Sequence, residues 1–409
     1  MRALIVTPTH PPQRETDSAG IYKRLGLFVR ALSRVSRSVE MLHYVPARLI
    51  AEYPDGSTLS QLASRFWGVR VEVRLCARAE RRETPWAHYG AGIFSMRYQP
   101  KFCQFCGPDQ VACLEERLGA HPDVLLVHRL SSMGAVLGTR KTLPPTLFDL
   151  DDVEHRVLVR QAMARPIWPG QRLYLLQAPA LVLAEWQGTR KARRTYVCSE
   201  LDERHLRRIG FGRSVRTLPN AVPMPEETYV GGEEATILFL GTYLYDPNAE
   251  AVERLITRIW PLVRREIPDA RLVVAGQSPE RIPSYQQQPD GVSFPGFVPD
   301  LSALYRQCQV VCCPLFNGGG TRVKLLEAAG YGKAMVSTAI GVEGLHFEDP
   351  GEILVRDDDD GLAEGCVRLL NDRNLREQLG LAARKRALAL YDARAIEERI
   401  EGDIRSLAR

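Results

Sequence analysis

The sequence contains no apolar run near the roughly 20 residues that a membrane-spanning helix needs. ALIV at 3–6, DVLLV at 123–127 and VVCCPL at 310–315 are typical of its apolar blocks, and all are short. It also lacks low-complexity tracts. Its 32 Gly and 27 Pro are scattered over 409 residues and aromatics make up 8%, which excludes collagen-like and largely disordered classes. Lysine is scarce, with seven against 47 Arg. What remains is ordinary soluble-globular composition, 45% hydrophobic and 25% charged, in a chain too long for one core. Two domains of roughly 150–200 residues are expected. Met1-Arg2-Ala3 runs directly into a strand-like stretch, so no secretory signal is expected and a cytoplasmic location is.

A disulfide framework is absent too. The nine cysteines are an odd number, and Cys312 and Cys313 are adjacent within an apolar run, which points to buried thiols in a reducing compartment. Cys103-Gln-Phe-Cys106, with Cys113 nearby, has half a zinc-site spacing. No His-x3-His or second Cys-x2-Cys completes it, so free thiols are the expectation.

The net charge of +5 hides a division. Residues 1–220 hold 33 Lys+Arg and 20 Asp+Glu, a balance of +13; residues 221–409 hold 21 and 29, a balance of −8. The basic half suits an anionic lipid surface or a phosphorylated substrate, or is simply an Arg-rich soluble surface. Its arginines are dispersed, with no helix-turn-helix, zinc or RRM signature, so nucleic acid is not expected as a partner.

Hydrophobic periodicity predicts alternating strands and helices. Strands are expected at 2–7, 39–44, 69–76, 123–128, 145–150, 195–198 and 214–218, and helices at 21–36, 58–67, 172–195 and 200–209, with one more between the strands at 123–128 and 145–150. Residues 78–113 read as irregular and aromatic-rich, with Trp86, His88, Tyr89, Phe94, Tyr98, Lys101, Phe102 and Phe105 among arginines. That composition fits either sugar stacking and anion contact or local core packing. Residues 221–234 carry two Pro, two Gly and four Glu without periodicity, as an inter-domain linker does. The pattern then restarts, with strands at 236–241, 270–275, 292–294, 310–314 and 334–338. The helices are placed at 247–266, 299–307, 321–331, 360–371, 373–392 and 393–408. Two doubly wound parallel α/β domains are therefore expected, 1–220 and 235–392, facing across a cleft, with a final helix at 393–409. In such sheets ligands bind outside the carboxyl ends of the strands.

The strongest such loop is FNGGGTRVKLLEAAG at 316–330. A strand ends, a triple glycine follows and a helix opens, which suits a phosphate or diphosphate. Arg322 and Lys324 add cations at a helix N-terminus, where they oppose the helix dipole unless an anion is bound. Glu327 fits either an i,i+3 pair with Lys324 or a carboxylate accepting from two vicinal ribose hydroxyls. The loop is neither a Walker A motif nor Gly-x-Gly-x-x-Gly.

This segment resembles the donor-binding signature of retaining glycosyltransferases of family four, which have the GT-B fold, in the subset with Gly-Gly-Thr-Arg-x-Lys. Phe239-Leu-Gly241-Thr242 with Asp246-Pro247-Asn248-Ala249, Leu272–Gly276, Val292–Asp300, Leu218–Val222 and Cys198-Ser199-Glu200 recur in the family's order, so the resemblance covers about 195–345. It implies a nucleotide-diphosphate sugar as donor and substrate, with no separate cofactor and no metal. It also implies donor contacts from Gly241, Thr242, Val298, Gly318, Gly319, Gly320, Thr321 and Glu327. Arg322 and Lys324 would stabilise the leaving diphosphate. Glu327 matches the second glutamate of the family's Glu-x7-Glu motif, while Gly319 stands where the first would be. Backbone N–H groups of Gly319, Gly320 and Thr321 would then hold the sugar.

In the basic half, the resemblance implies acceptor binding to a carbohydrate, lipid-linked or small-molecule hydroxyl, while the charge division points to peripheral contact with anionic lipid at the inner membrane face or to an anionic acceptor. Gly20 would approach the donor phosphates, and Asp17 lies in the same loop. His128, at the end of DVLLVH, is expected to face the cleft beside the transferred sugar. Asp149-Leu-Asp151-Asp152-x-Glu154 matches the Asp-x-Asp metal motif of the other main glycosyltransferase fold. In this half an acceptor-side or structural role for Asp151 and Asp152 is preferred, with Arg156 as partner and His155 as a bystander. The leading expectation is a metal-independent hexosyltransferase. A nucleotide-sugar epimerase or hydrolase, and a non-catalytic binding homologue, are the alternatives.

Overall fold

The computed structural model describes residues 1–13, 20–79, 85–163, 170–229 and 234–407, with the side chains of 85–89 outside that description. The chain divides into two compact units, Met1–Leu218 with Ile396–Arg409, and Pro219–Ala395.

The first unit is built on seven strands, β1 (Arg2–Thr7), β2 (Ser38–Val45), β3 (Glu72–Ala77), β4 (Val124–His128), β5 (Thr146–Asp151), β6 (Arg194–Val197) and β7 (Val215–Thr217). They lie in the order β3-β2-β1-β4-β5-β6-β7, and the paired strands are parallel. The apolar blocks become the central strands because each is covered on both faces. In β4 every residue is buried. The chain reverses its direction of strand addition between β1 and β4, a topological switch point.

The second unit repeats the plan with β8 (Thr236–Leu240), β9 (Arg271–Ala275), β10 (Val292–Gly296), β11 (Val310–Cys313), β12 (Ala334–Ser337) and β13 (Leu354–Val355), in the order β10-β9-β8-β11-β12-β13 and again with parallel pairs. Its switch point lies between β8 and β11. Two parallel-sheet Rossmann-like α/β domains, the class expected from the sequence, are thus present. All nine cysteines are free thiols.

Several sequence expectations are corrected. Residues 78–113 are not irregular throughout: helices Pro85–Phe94 and Pro108–Leu118 occupy much of the stretch. Proline at a first helical position lacks an N–H that would be unpaired there anyway. Phe102 and Phe105 are core residues, whereas Phe94 is 81% exposed. The helix expected at 172–195 is a 3-10 turn, Gln171–Gln177, followed by the helix Ala178–Lys191; Pro179 lacks a donor and sits where the α-helix begins. The helix expected at 247–266 is Asp246–Arg254, a π turn at Leu255–Ile259 and Trp260–Glu266. The wider turn falls where Pro261 would break an α-helical ladder.

Gly276 has φ +148, and a Cβ there would land on the carbonyl oxygen of Gly241, because the chains leaving β8 and β9 touch backbone to backbone. Gly276→Ala is expected to lower unfolding free energy by at least about 3 kcal/mol in urea denaturation. Gly402→Ala, in the helix Ala393–Leu407 where a Cβ meets nothing, is expected to be neutral or to stabilise by up to about 1 kcal/mol.

Candidate functional site

Both halves of the second unit's site come from loops at the carboxyl ends of adjacent strands. β8 leads through Gly241–Tyr245 into the helix Asp246–Arg254, and β11 leads through residues 314–322 into the helix Val323–Gly330. The helix expected at 321–331 therefore begins two residues later, and Arg322 is its N-cap residue with extended-type dihedrals rather than a member of the first turn. The glycine loop needs its glycines. Gly318 and Gly320 have φ of +113 and +72, and a Cβ on Gly318 would lie 2.8 Å from the Tyr245 hydroxyl oxygen. The Gly319 N–H donates to that hydroxyl at 3.3 Å. Asn220 Nδ2 donates to Thr321 Oγ1 at 2.7 Å.

The two cations are held differently. Arg322 is 6% exposed, and its Nη1 donates to the carbonyls of Gly319 and Gly320. Its Nε and Nη2 are buried and have no hydrogen-bond partner among the described residues. Native structures rarely leave buried donors so. Lys324 donates to Asn248 Oδ1 at 2.9 Å and lies over the Phe239 ring, 3.9 Å from its centroid. Burial pushes its ammonium down to about 8, with Arg322 adding to the effect and Cys313 opposing it. Glu327 is half-buried in the middle of the same helix. Thr242 is half-buried and gives its carbonyl to Asn248 Nδ2. Val298, just beyond β10, packs against this unit's core. Gly241, Thr242, Gly318–Thr321, Arg322 and Lys324 are thus brought together around one switch point.

In the first unit the carboxyl ends of the strands carry a belt of buried polar groups. Register sets Thr7 beside His43 and His128 beside Asp149. His128 does not face outward as expected. β4 is a central strand, so its last side chain packs between neighbours. Its Nδ1 lies 2.9 Å from Thr7 Oγ1, and its Nε2 is 3.7 Å from Asp149, beyond hydrogen-bond reach. Burial, aided by Arg129, pushes the imidazole down to about 3, so it is neutral at physiological pH.

Asp149 is fully buried and paired with Arg24, which donates from Nε at 3.0 Å to both carboxylate oxygens and from Nη2 at 2.5 Å. Arg24 Nη1 also caps the Leu218 carbonyl at 3.1 Å. Asp151, at φ +61, takes Arg129 Nη2 at 2.8 Å and lies 3.2 Å from Arg24 Nε. Burial alone would raise Asp151, but the two guanidiniums outweigh it and hold the carboxyl at about 2. Asp152, 3.8 Å from Arg129, is pushed up to about 7 by burial and by the charge of Asp151. The ligand atoms of Asp151, Asp152 and Cys198 lie within 4.8 Å of one another. Arg129 and Arg24 already face those carboxylates, which makes the cluster a poor cation site.

Arg156 is not the partner expected for these aspartates: it pairs with Asp202. His155 is not a bystander either. Its Nδ1 lies 2.5 Å from buried Glu185, and its Nε2 lies 2.7 Å from His205 Nε2. Gly20 is the exposed first residue of the helix Gly20–Val35. Asp17 lies outside the described residues. Arg24 carried a signal that sequence reading missed. It stands on the apolar stripe of its helix between Ile21 and Phe28, where only a paired charge is tolerated.

Residues 234–372 match the family model described as glycosyl transferases group 1. A phosphatidyl-myo-inositol mannosyltransferase of Mycolicibacterium smegmatis is 29% identical over 152 residues, 35% of this chain and 38% of that protein. A second curated relative, an uncharacterised 44.6 kDa protein of the cps region of Klebsiella pneumoniae, is 26% identical over 132 residues, 30% of this chain and 34% of its own. The chain thus spans little more than a third of the curated relatives it matches. The sucrose-phosphate synthase of Thermosynechococcus elongatus has the same fold, with a TM-score of 0.71 over 99% of this chain and 98% of that one at 17% identity. HepE of Anabaena, solved with UDP and glucose, gives 0.64 over 99% of both chains at 13% identity.

Arg24→Met should leave Asp149 buried without a counter-charge, lowering stability by roughly 3–5 kcal/mol. In the double variant Arg24→Met/Asp149→Leu most of that loss should be recovered, which a double-mutant cycle by chemical denaturation measures.

Proposed function

We propose that the protein is a retaining glycosyltransferase that moves a hexose from a nucleotide-diphosphate sugar to an acceptor hydroxyl. The observation that carries this reading is the buried Arg322 guanidinium with two unpartnered donors, set beside Lys324 at a helix N-terminus. A diphosphate would supply the acceptors those donors lack and relieve the repulsion between the cations. The family match over 234–372 covers this same segment.

In this reading the second unit holds the donor. Glu327 accepts from the ribose hydroxyls, and Val298 borders the base. The N–H groups of Gly320 and Thr321 hold the sugar where the resembling family uses a further glutamate, the Gly319 N–H being taken by the Tyr245 hydroxyl. Arg322 and Lys324 take up the charge that develops on the leaving diphosphate. The acceptor oxygen attacks the anomeric carbon on the face from which the diphosphate departs. No protein nucleophile is needed, and positioning and leaving-group stabilisation supply the acceleration. UDP is the first nucleotide to test, since it accompanies HepE.

We assign acceptor recognition to the first unit, with Asp151, Asp152 and their guanidinium partner Arg129 as the polar groups at its strand ends. Its outer face also fits contact with an anionic bilayer. Phe94, Met163, Leu173, Leu176 and Leu183 are exposed, with Leu173 60% accessible. The helices Pro85–Phe94, Glu154–Met163 and Ala178–Lys191 and the turn Gln171–Gln177 that carry them pack on one another. A groove of about 510 Å³ beside the helices Pro85–Phe94 and Ala178–Lys191 is lined by Phe94, Leu183 and Trp186 with Arg97, Arg190 and Lys191, and by no carboxylate among the described residues. Exposed apolar side chains such as Phe94 and Leu183, with Arg97, Arg190 and Lys191 beside them, suit the headgroup region of an anionic membrane. No helix among the described residues is long and apolar enough to cross one.

A thermal-shift screen of UDP, GDP, ADP, CMP and dTDP tests the donor site: at least one should stabilise the chain, and no shift at millimolar concentration would sink the reading. Arg322→Ala and Glu327→Ala should each lose nucleotide-sugar turnover while retaining the wild-type melting temperature to within a few degrees. EDTA should leave turnover intact.

Co-sedimentation with phosphatidylglycerol vesicles should exceed that with phosphatidylcholine and fall at high salt. Leu176→Asp/Leu183→Asp should abolish it.

A further inference from the structure

Lys324 is held by an amide rather than a carboxylate, and that choice has a chemical effect. Asn248 is the third residue of the helix Asp246–Arg254 and is 7% exposed. Its Nδ2 donates to the Thr242 carbonyl at 2.9 Å, and its Oδ1 accepts from Lys324 Nζ at 2.9 Å. The two contacts fix which way the amide points, because the reverse orientation would set donor against donor and oxygen against oxygen. Gly241 leaves the space for this arrangement: a Cβ there would lie 2.9 Å from Asn248 Nδ2 and 3.3 Å from Lys324 Nζ. Beneath the ammonium lies the fully buried Phe239 ring. The ionisable groups facing Lys324 are Arg322 and Glu327 on its own segment and Cys313 at the end of β11, while the helix Asp246–Arg254 presents the neutral Asn248.

We propose that Asn248 is a positioning residue for the donor site: its amide aims the Lys324 ammonium and leaves that charge free for an anion. This rests on the reading of Arg322 and Lys324 as diphosphate ligands. An ammonium has three N–H donors. Asn248 engages one without neutralising the charge, and the Phe239 face holds the group in place while donating nothing to compete. An aspartate at 248 would occupy nearly the same volume but would form an ion pair, which a ligand phosphate would then have to break.

The test is UDP binding by calorimetry from pH 6.5 to 9.5 with wild type, Asn248→Asp, Asn248→Ser and Lys324→Ala, each checked for folding by near-ultraviolet circular dichroism. UDP's own ionisations are common to all four and drop out of the comparison. Wild-type affinity should fall as pH rises through about 8, where Lys324 loses its proton. Lys324→Ala should lack that fall. Asn248→Asp should bind about tenfold more weakly at pH 7, with the alkaline fall moved up by about one pH unit, because a carboxylate holds the proton on Lys324. Asn248→Ser, too short to reach, should bind more weakly with no upward move. Loss of packing alone would weaken binding without moving the profile. If Lys324→Ala keeps the wild-type profile, the diphosphate-site reading itself fails. If Lys324→Ala loses the alkaline fall but Asn248→Asp superimposes on wild type, only the positioning role fails. Should Asn248→Asp not fold, wild-type affinity in Asn248→Ser overturns the proposal.

Discussion

Repulsion between a guanidinium and an ammonium, both set at the positive end of one helix, is the constraint around which the loops after β8 and β11 are organised. Neither cation would be stable there in an ordinary apolar surround, since burial penalises each and proximity penalises the pair. The fold answers with neutral partners. Carbonyls of Gly319 and Gly320 take one edge of Arg322, an amide oxygen takes Lys324, and an aromatic face lies under the ammonium. These groups reach the same place only because β8 and β11 are adjacent and parallel, so that both of their following loops emerge at one end of the sheet.

The first unit treats its charges in the opposite way. Arg24 is matched to Asp149 and Arg129 to Asp151, with several charge-assisted hydrogen bonds. Its net positive balance is therefore a property of its surface arginines, while its buried interior is paired. In the acidic second unit the hydrogen bonds of Arg322 and Lys324 go to neutral groups. Formal charge by half of the chain, 33 Lys+Arg against 20 Asp+Glu and then 21 against 29, thus gives no sign of these two cations, whose surroundings depend on local pairing rather than on totals.

Much of the architecture was legible because strands buried on both faces read as continuous apolar runs. ALIV and VVCCPL fall within or overlap β1 and β11, and the triple glycine between a strand and a helix marks the loop that carries Arg322 from spacing alone. Less legible was everything that depends on a partner distant in sequence. Arg24 and Asp149 are 125 positions apart, and neither charge announces the other. The His155–Glu185–His205 chain joins three helices, and each member alone looks unremarkable. His128 was placed correctly at a strand end, but its burial follows from the order of strands in the sheet, which periodicity does not determine. Local breaks at Pro179 and Pro261 were visible as residues; their effect, a 3-10 turn in one case and a π turn in the other, was decided by how the flanking apolar faces had to pack.

Arg322 also has an effect on the loop beside it. The carbonyls of Gly319 and Gly320 both turn toward its Nη1. In a planar trans peptide the N–H of the next residue lies on the opposite side, so the N–H groups of Gly320 and Thr321 are directed away from the guanidinium. The side chain thereby sets the orientation of two peptide planes in a stretch whose glycines would otherwise sample many conformations. If the loop binds a diphosphate as proposed, the contribution of Arg322 is then partly entropic: the loop is ordered by the side chain itself, and an incoming anion would meet dipoles that no longer need to be aligned.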